Sequence, residues 1–432
     1  LAGLVAPGFS LTQISIMANL LRVMLMAQIF FCISGFLTGM IQSHERFLIP
    51  AIAPLAYNLG IILGIVFLSK TLGIYAPAVG MVLGAALHML IQLPAALSLG
   101  FRPSLSFNIR YPGVWEVARL MPPRALAMGI DQIEQFVAIM LSSLLAAGSL
   151  SLFNVARLLY AVPTLLFGAT IGQAALPSLS AYVAKQDWES FRKTLTNACL
   201  QVVFLALPVC VLFIILRIPI VRLVFGAKTF PWEATLLTGK TMAILMISAV
   251  FYAVTQLVIR AYYAMHDTKT PLIIGLAGAV FNVLFSVLSV KLWGWGILGI
   301  AFAISFTAIG EMVVLTTVLA LKVFPEKRMP MEVWLPLGKM GIIGIVMGFG
   351  LWLPMRLLDQ YIFDTTRTLP LLFLTIITSA IGMTVYLTLS WVFKISQLSS
   401  VFGLFRRIND WRTYLKAPAQ SEPIILPTSE QN

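Results

Sequence analysis

Long apolar segments occupy most of this sequence and restrict its possible folds more than any other feature. A helix that crosses the hydrocarbon core of a bilayer needs about 20 largely apolar residues. The sequence contains about eleven such segments, near residues 13–41, 51–69, 74–98, 115–146, 149–176, 191–216, 235–264, 271–290, 296–321, 334–353 and 370–393. Because the segments are continuously apolar and lack a period of two residues, they predict helices rather than strands of a membrane barrel.

The composition predicts an all-α polytopic membrane protein and excludes a water-soluble globular enzyme. Of the 432 residues, 59% are hydrophobic and 10% are charged, whereas soluble chains carry about 25% charged residues. The net charge of +13 is typical of basic cytosolic loops, so we expect no nucleic-acid partner. Basic residues show a roughly twofold excess on the side of the C-terminus, which predicts that the C-terminus is cytosolic.

Residues that support catalysis or bind metals are scattered along the chain. Cys32, Cys199 and Cys210 lie in apolar segments without metal-ligand spacing, which predicts free thiols. The sequence shows no metal-ligand cluster, nucleophile motif or phosphate-binding glycine loop, so we expect neither an enzyme nor a cofactor. An intramembrane enzyme and a purely structural membrane scaffold are the alternatives from other classes, but a scaffold would not need charged residues inside its spans.

Four segments carry information beyond hydropathy: Leu37–Pro54, Asn154–Ser180, Arg260–Asn282 and Gly294–Ser305. They include the motifs ERFLIPAIAP, ARLLYAVPTLLFG, RAYYAMHDTKTP and GWGILGIAFAIS, in that order. In this order and spacing they resemble the MurJ/MviN family of lipid II flippases, in the multidrug/oligosaccharidyl-lipid/polysaccharide exporter superfamily. The opening VAPGF motif is also similar to the family, and the resemblance continues to about Lys394.

The resemblance implies both an activity and an architecture. It implies movement of lipid II, a sugar-peptide on a polyprenyl pyrophosphate, from the inner to the outer leaflet of the bacterial cytoplasmic membrane, by alternating access through a cationic cavity. The family fold has fourteen helices in two bundles, so the segments here match helices 4–14, and we expect that a longer protein begins before Leu1. The alternatives are a drug or ion antiporter, or a flippase for another polyprenyl-linked oligosaccharide. We expect a monomer.

Four regions are predicted along the chain. Residues 1–98 form the remainder of the first bundle, and residues 99–330 form the second bundle with its cavity-lining helices. Residues 331–395 form two C-terminal helices, which the resemblance associates with a groove for the lipid tail. Residues 396–432 form an amphipathic cytosolic helix, with apolar side chains at helical spacing between basic ones, and a disordered tail.

Arg157 is the strongest candidate for binding the substrate pyrophosphate. An arginine inside a span costs at least a few kcal/mol unless it faces water or an anion. Its planar guanidinium remains charged and matches phosphate oxygens. The resemblance places it in the central cavity, although Ala156 stands where the family often has an acidic residue. The other interpretation is a structural arginine that pairs with a neighbouring helix.

Three more arginines lie in or near the spans. Arg22 either lines the cavity or extends to the membrane interface. Arg260 either contacts substrate or braces the following turn through an ion pair with Asp267, the second being the preferred interpretation. Arg124 is interpreted as an interfacial anchor.

Membrane-embedded carboxylates predict coupling to a monovalent cation, either sodium or a proton. Asp131 and Glu134 are three residues apart and therefore share one helix face. Carboxylates inside a membrane usually face the bundle interior and have a function. These two acids either pair with Arg157 or bind the cation.

The resemblance adds later residues to this hypothesis. Asn282 and Ser286, four residues apart, match polar residues that hold sodium in some family members, although Ser286 replaces an acid found in others. Glu311 is a separate candidate for proton coupling. No firm metal site follows, and no role is assigned to the three histidines, His44, His88 and His266.

Overall fold

The protein is helical wherever its structure is described. A computed structural model describes residues 2–44, 46, 48–101, 115, 118, 129, 132–226, 231–324, 331–365 and 367–399. Within these residues, nine helical segments are long and apolar enough to cross a membrane. One of them, Leu48–Ser98, contains two helices joined at Gly73–Tyr75. The prediction of an all-α polytopic membrane protein is therefore confirmed.

The chain divides into two compact units, Leu1–Arg124 and Ala125–Asn432. The helices of the first unit are α1 (Ala2–Val5), α2 (Leu11–Ser43), α3 (Leu48–Leu72) and α4 (Ala76–Ser98). At the start of α2, the Gln13 N–H donates to the Ser10 hydroxyl and the Ser10 N–H donates to the Gln13 side chain. This capping box satisfies two backbone donors that would otherwise be unpaired.

Helices α3 and α4 pack as an antiparallel pair through four glycines. Gly60 lies against Gly84, and Gly64 lies against Gly80, so closely that a β-carbon on Gly60 or Gly64 would overlap with the opposite backbone. Small residues at this spacing let membrane helices approach closely, which maximises van der Waals contact between them. The two glycine pairs therefore determine how α3 packs on α4.

The second unit contains helices α5 to α14. They are α5 (132–143), α6 (Ser149–Pro163), α7 (Thr170–Ala184), α8 (Trp188–Ile215), α9 (Arg217–Phe225), α10 (Trp232–Ala264), α11 (Lys269–Lys291), α12 (Gly296–Val323), α13 (Met331–Tyr361) and α14 (Thr368–Val392). A π-helical segment, Thr164–Ala169, joins α6 to α7. Helix α10 is central, because it packs against α6, α7, α8, α9 and α12. Its side chains enter both large hydrophobic clusters of the unit.

The predicted spans agree with these helices. Outside 115–146, each predicted span coincides with a described helix, and the main differences are at the ends. The span at 149–176 continues to Ala184, and the span at 334–353 continues to Tyr361. A helix continues past the end of an apolar segment because its backbone hydrogen bonds do not require apolar side chains. Most of the predicted amphipathic tail lies outside the described residues, which end at 399.

Candidate substrate and cation sites

Arg157 lies in the third turn of α6, at the border between its packed and exposed faces. Phe153 and Ala156 are fully buried on the packed face, whereas Leu158 is exposed. Arg157 itself is half-buried. The π-helical segment Thr164–Ala169 begins two turns later, and such segments occur frequently at functional sites because they locally widen the helix.

The acidic residues predicted near Arg157 are described only in part. Glu134 lies on α5 and is half-buried. Asp131 and the predicted anchor Arg124 lie outside the described residues. The shared helix face of Asp131 and Glu134 therefore stays a prediction.

Tyr160 connects the helix that carries Arg157 to the interior of the second unit. The ring centroids of Tyr160 and Tyr252 are 6.2 Å apart. The Tyr160 side chain also lies beside Ser248 of α10 and interacts electrostatically with Glu311 of α12. The sequence did not single out these tyrosines, because their pairing depends on how α6 packs against α10.

Asn282 and Ser286 lie in the interface between α11 and α12, where they are 3% and 1% exposed. Within the described structure, the Asn282 Nδ2 and the Ser286 Oγ have no hydrogen-bond partner. Buried polar side chains are normally paired. Unpartnered polar atoms inside a membrane helix pair are therefore suited to a bound ion, a water molecule or a movable polar neighbour.

Glu311 lies halfway along α12 and is half-buried. Its carboxylate packs against the backbone of α11 at Gly278, where a β-carbon would overlap with the carboxylate oxygen. Thr307, one turn earlier on α12, is 6% exposed, and its hydroxyl has no hydrogen-bond partner in the described structure. The sequence prediction included Glu311 but missed Gly278 and Thr307.

The remaining predicted arginines have local contacts. Arg22 is exposed on α2 and donates to Asn19 Oδ1 at 3.0 Å. The Arg260 guanidinium lies 5.8 Å from the centre of the Tyr263 ring, and its stem packs against Gly172 of α7. The expected ion pair between Arg260 and Asp267 is wrong, because Asp267 pairs with a residue on α12 instead.

That residue is Lys322, and its contacts join the α10–α11 turn to the end of α12. Lys322 Nζ donates to Asp267 Oδ2 at 2.5 Å and to the Thr270 hydroxyl at 2.9 Å. Lys322 also lies 5.5 Å from the Tyr262 ring, and the Tyr262 hydroxyl donates to the Leu315 carbonyl at 2.9 Å. Burial opposes ionisation of Asp267, but hydrogen bonds from Lys322 and Thr270 outweigh it and lower the Asp267 pKa to about 2.

His88 belongs to a polar network between α2 and α4. Its Nδ1 lies 2.6 Å from the Ser34 hydroxyl, which accepts from the Gln92 amide at 2.7 Å. Gln92 in turn accepts from the Thr38 hydroxyl at 2.7 Å. These contacts give His88 a structural environment between the two helices.

The described residues show no group of three or more His, Cys, Asp or Glu that could hold a metal ion. All three cysteines are free, as the sequence predicts. Cys32 is exposed, Cys199 is half-buried and Cys210 is buried.

Comparison with known proteins gives a consistent result across most of the chain. A family described as "Lipid II flippase MurJ" matches residues 1–373. A probable lipid II flippase MurJ from Bdellovibrio bacteriovorus is 25% identical over 88% of this chain and 71% of its own length. The lipid II flippase MurJ from Burkholderia cenocepacia is 26% identical over 63% of this chain. The chain spans only 54% of the length of the Burkholderia protein.

A solved structure supports the fold. It is described as lipid II flippase MurJ in an inward closed conformation and has a TM-score of 0.75 with this chain. The two chains are 24% identical, and the match covers 90% of this chain and 77% of the other. At this identity the similarity establishes the arrangement of helices, not the role of individual residues.

Proposed function

Because the chain belongs to the lipid II flippase MurJ family, we propose that it moves lipid II from the inner to the outer leaflet of the bacterial cytoplasmic membrane. The family is one of membrane transporters rather than enzymes. Lipid II carries a charged pyrophosphate and a polar head group, which cannot cross hydrocarbon cheaply. A hydrated cavity that opens alternately to each side avoids this cost.

The position of Arg157 in α6 is the observation that carries the proposal. Arg157 is the half-buried cation of α6, next to the fully buried Ala156 and the exposed Leu158. Arginine binds phosphate oxygens through two parallel hydrogen bonds and keeps its charge inside a protein. We infer that Arg157 holds the pyrophosphate while the head group crosses, with Arg22 and Arg260 as weaker candidates for further contacts.

We also propose that the C-terminus is cytosolic and that a monovalent cation drives the cycle. The basic excess on the C-terminal side supports the orientation. The unpartnered hydroxyl oxygen of Ser286, together with the Glu134 carboxylate, supports a cation site. Lipid II movement in vesicles under a sodium gradient or a proton gradient distinguishes the two cations.

Complementation tests the flippase proposal. A host depleted of its own lipid II flippase receives this chain, either alone or joined to the N-terminal segment of a full-length relative. We expect at least one of these proteins to sustain growth and to expose lipid II at the outer surface. Normal membrane levels without rescue by either one would contradict the proposal, and rescue of a different polyprenyl-linked export would favour the alternative substrate.

Arg157→Ala tests the proposed binding residue in the rescuing protein. We expect loss of growth and of exposed lipid II at unchanged membrane levels, because the pyrophosphate loses its cation. Arg367→Ala is the matched control, because Arg367 is an exposed loop arginine paired only with Asp364 among the described salt bridges. Full activity of Arg157→Ala would show that Arg157 does not bind substrate.

A further inference from the structure

Polar side chains lie in the interface between α11 and α12, halfway along both helices. Gly278 lies against Glu311 and Gly299 lies against Ser289, so the two helices run antiparallel. Asn282 follows Gly278 by one turn, and Thr307 precedes Glu311 by one turn. Four residues along a helix correspond to about 6 Å, so these side chains lie at neighbouring levels of the same interface.

Two buried polar side chains lie about one turn from the Glu311 carboxylate along this interface. Asn282 Nδ2 and Thr307 Oγ1 are buried without hydrogen-bond partners in the described structure. An amide N–H donates to an ionised carboxylate, whereas a threonine hydroxyl donates to the ionised form or accepts from the protonated form. A group that binds and releases a proton reversibly needs such partners in both states.

Glu311 has a titratable neighbour on a helix that packs against α12. The Tyr160 side chain of α6 interacts electrostatically with Glu311 and with Tyr252 of α10. On α11, Glu311 packs against Gly278, and Asn282 follows one turn later; neither residue titrates. Arg157 lies three residues before Tyr160 on the same helix, so a charge change at Glu311 alters the potential near the proposed pyrophosphate site.

The packing favours a proton over a divalent metal cation. The carboxylate oxygen lies so close to the backbone of α11 that a β-carbon on Gly278 would overlap with it. Hard cations such as Ca²⁺ and Mg²⁺ take about six oxygen ligands, whereas Glu311, Asn282 and Thr307 offer few side-chain oxygens. A proton needs no coordination shell and occupies no additional space.

We propose that Glu311 is a proton-binding site inside the second unit. The proton binds to one carboxylate oxygen, neutralises the side chain and returns to water when it is released. The role of this proton in transport rests on the proposed function, whereas proton binding itself does not depend on it. The site shares Asn282 with the cation hypothesis of Asn282 and Ser286 but is centred on Glu311, whereas Ser286 lies two turns from Gly278 along α11.

Infrared difference spectroscopy of the chain in lipid vesicles tests proton binding directly. Steps in pH should reveal the carbonyl band of a protonated carboxyl, and that band should be lost in Glu311→Gln. Glu233→Gln is the matched control, because Glu233 is an exposed carboxylate in the first turn of α10. We expect it to keep the band. A pH-dependent band of equal amplitude in Glu311→Gln and the unmodified protein would overturn the proposal.

Two further measurements sharpen this test. Gly278→Ala should shift the frequency of the Glu311 band, because the new methyl group displaces the carboxylate, and an unchanged band would contradict the packing. Sodium added at constant pH should leave the band unchanged, and loss of the band would assign the site to sodium. If the chain fails to move lipid II but shows the Glu311 band, the proposed function alone is refuted. If it moves lipid II but shows no Glu311 band, the proton site alone is refuted.

Discussion

The antiparallel pairs α3–α4 and α11–α12 both depend on glycine, but their glycines meet different partners. In α3–α4, Gly60 and Gly64 lie against the backbone atoms of Gly84 and Gly80. These contacts bring two apolar helices close together, and van der Waals packing is a principal force between helices in lipid.

In α11–α12, the glycines make room for polar side chains. Gly278 accommodates the Glu311 carboxylate and Gly299 accommodates the Ser289 hydroxyl. Asn282 and Ser286 lie in the same interface. A glycine pattern in a membrane helix therefore does not by itself distinguish scaffold from functional site, because the group that faces the glycine decides.

The largest expected effect is that of Gly60→Ala in α3. The new β-carbon meets the Gly84 backbone, which cannot rotate away, so the helices must separate. We expect a loss of at least about 2 kcal/mol in the local stability of the pair. This loss of stability should appear as faster hydrogen–deuterium exchange in peptides of both α3 and α4.

Gly35→Ala is the matched control in the same unit. Nothing lies within 4 Å of a β-carbon built on Gly35 of α2. Alanine in a helix interior is more stabilising than glycine by about 0.5–1 kcal/mol. We therefore expect hydrogen–deuterium exchange in α2 to be unchanged or slower. Equal effects of the two substitutions would show that close glycine contact does not hold α3 to α4.

The sequence predicted the helices well because a span is a local property of hydropathy. The predicted spans needed only about 20 consecutive apolar residues each, and no long-range contact enters that criterion. Helix ends were less accurate, as at Ala184 and Tyr361. There the helices continue after the apolar segment has ended.

The contacts of the site were less predictable because they join distant parts of the chain. Arg260 is close to Asp267 in sequence, but Lys322 is the partner of Asp267 across 55 residues. The packing of Glu311 against Gly278 likewise depends on the register of α12 on α11. Sequence identified the membrane-embedded acid, whereas only the packed helices show what surrounds it.

The ion pair between Asp267 and Lys322, at the exposed end of the α11–α12 pair, has a smaller expected effect. Burial raises the Asp267 pKa, but hydrogen bonds from Lys322 and Thr270 lower it by more. The Asp267 pKa is therefore about 2, below its ordinary value of 3.8. A carboxylate with a lowered pKa stabilises the fold above its ordinary pKa, and this contribution is lost as the pH falls from about 4 to 2. Lys322 is 44% exposed, so solvent screening limits the effect to about 1 kcal/mol.

Asp267→Asn should remove this acid dependence at the α10–α11 turn. The measurement is hydrogen–deuterium exchange of that turn between pH 5 and pH 3, corrected for the intrinsic pH dependence of exchange. Glu189→Gln, which removes an exposed acid at the start of α8, is the control and should leave the acid dependence unchanged. If Asp267→Asn retains it, the ion pair does not stabilise this end of α11–α12.

The smallest expected effect is that of Gly278→Ala in α11. Gly278→Ala adds the same β-carbon as Gly60→Ala, but its obstacle is the end of the flexible Glu311 side chain. The carboxylate rotates away, and the better helix propensity of alanine, worth about 1 kcal/mol, offsets the lost contact. Exchange in α11 and α12 should therefore change little. If Gly278→Ala destabilises its pair as strongly as Gly60→Ala does, both glycines serve helix packing alone, and the distinction between the two interfaces is wrong.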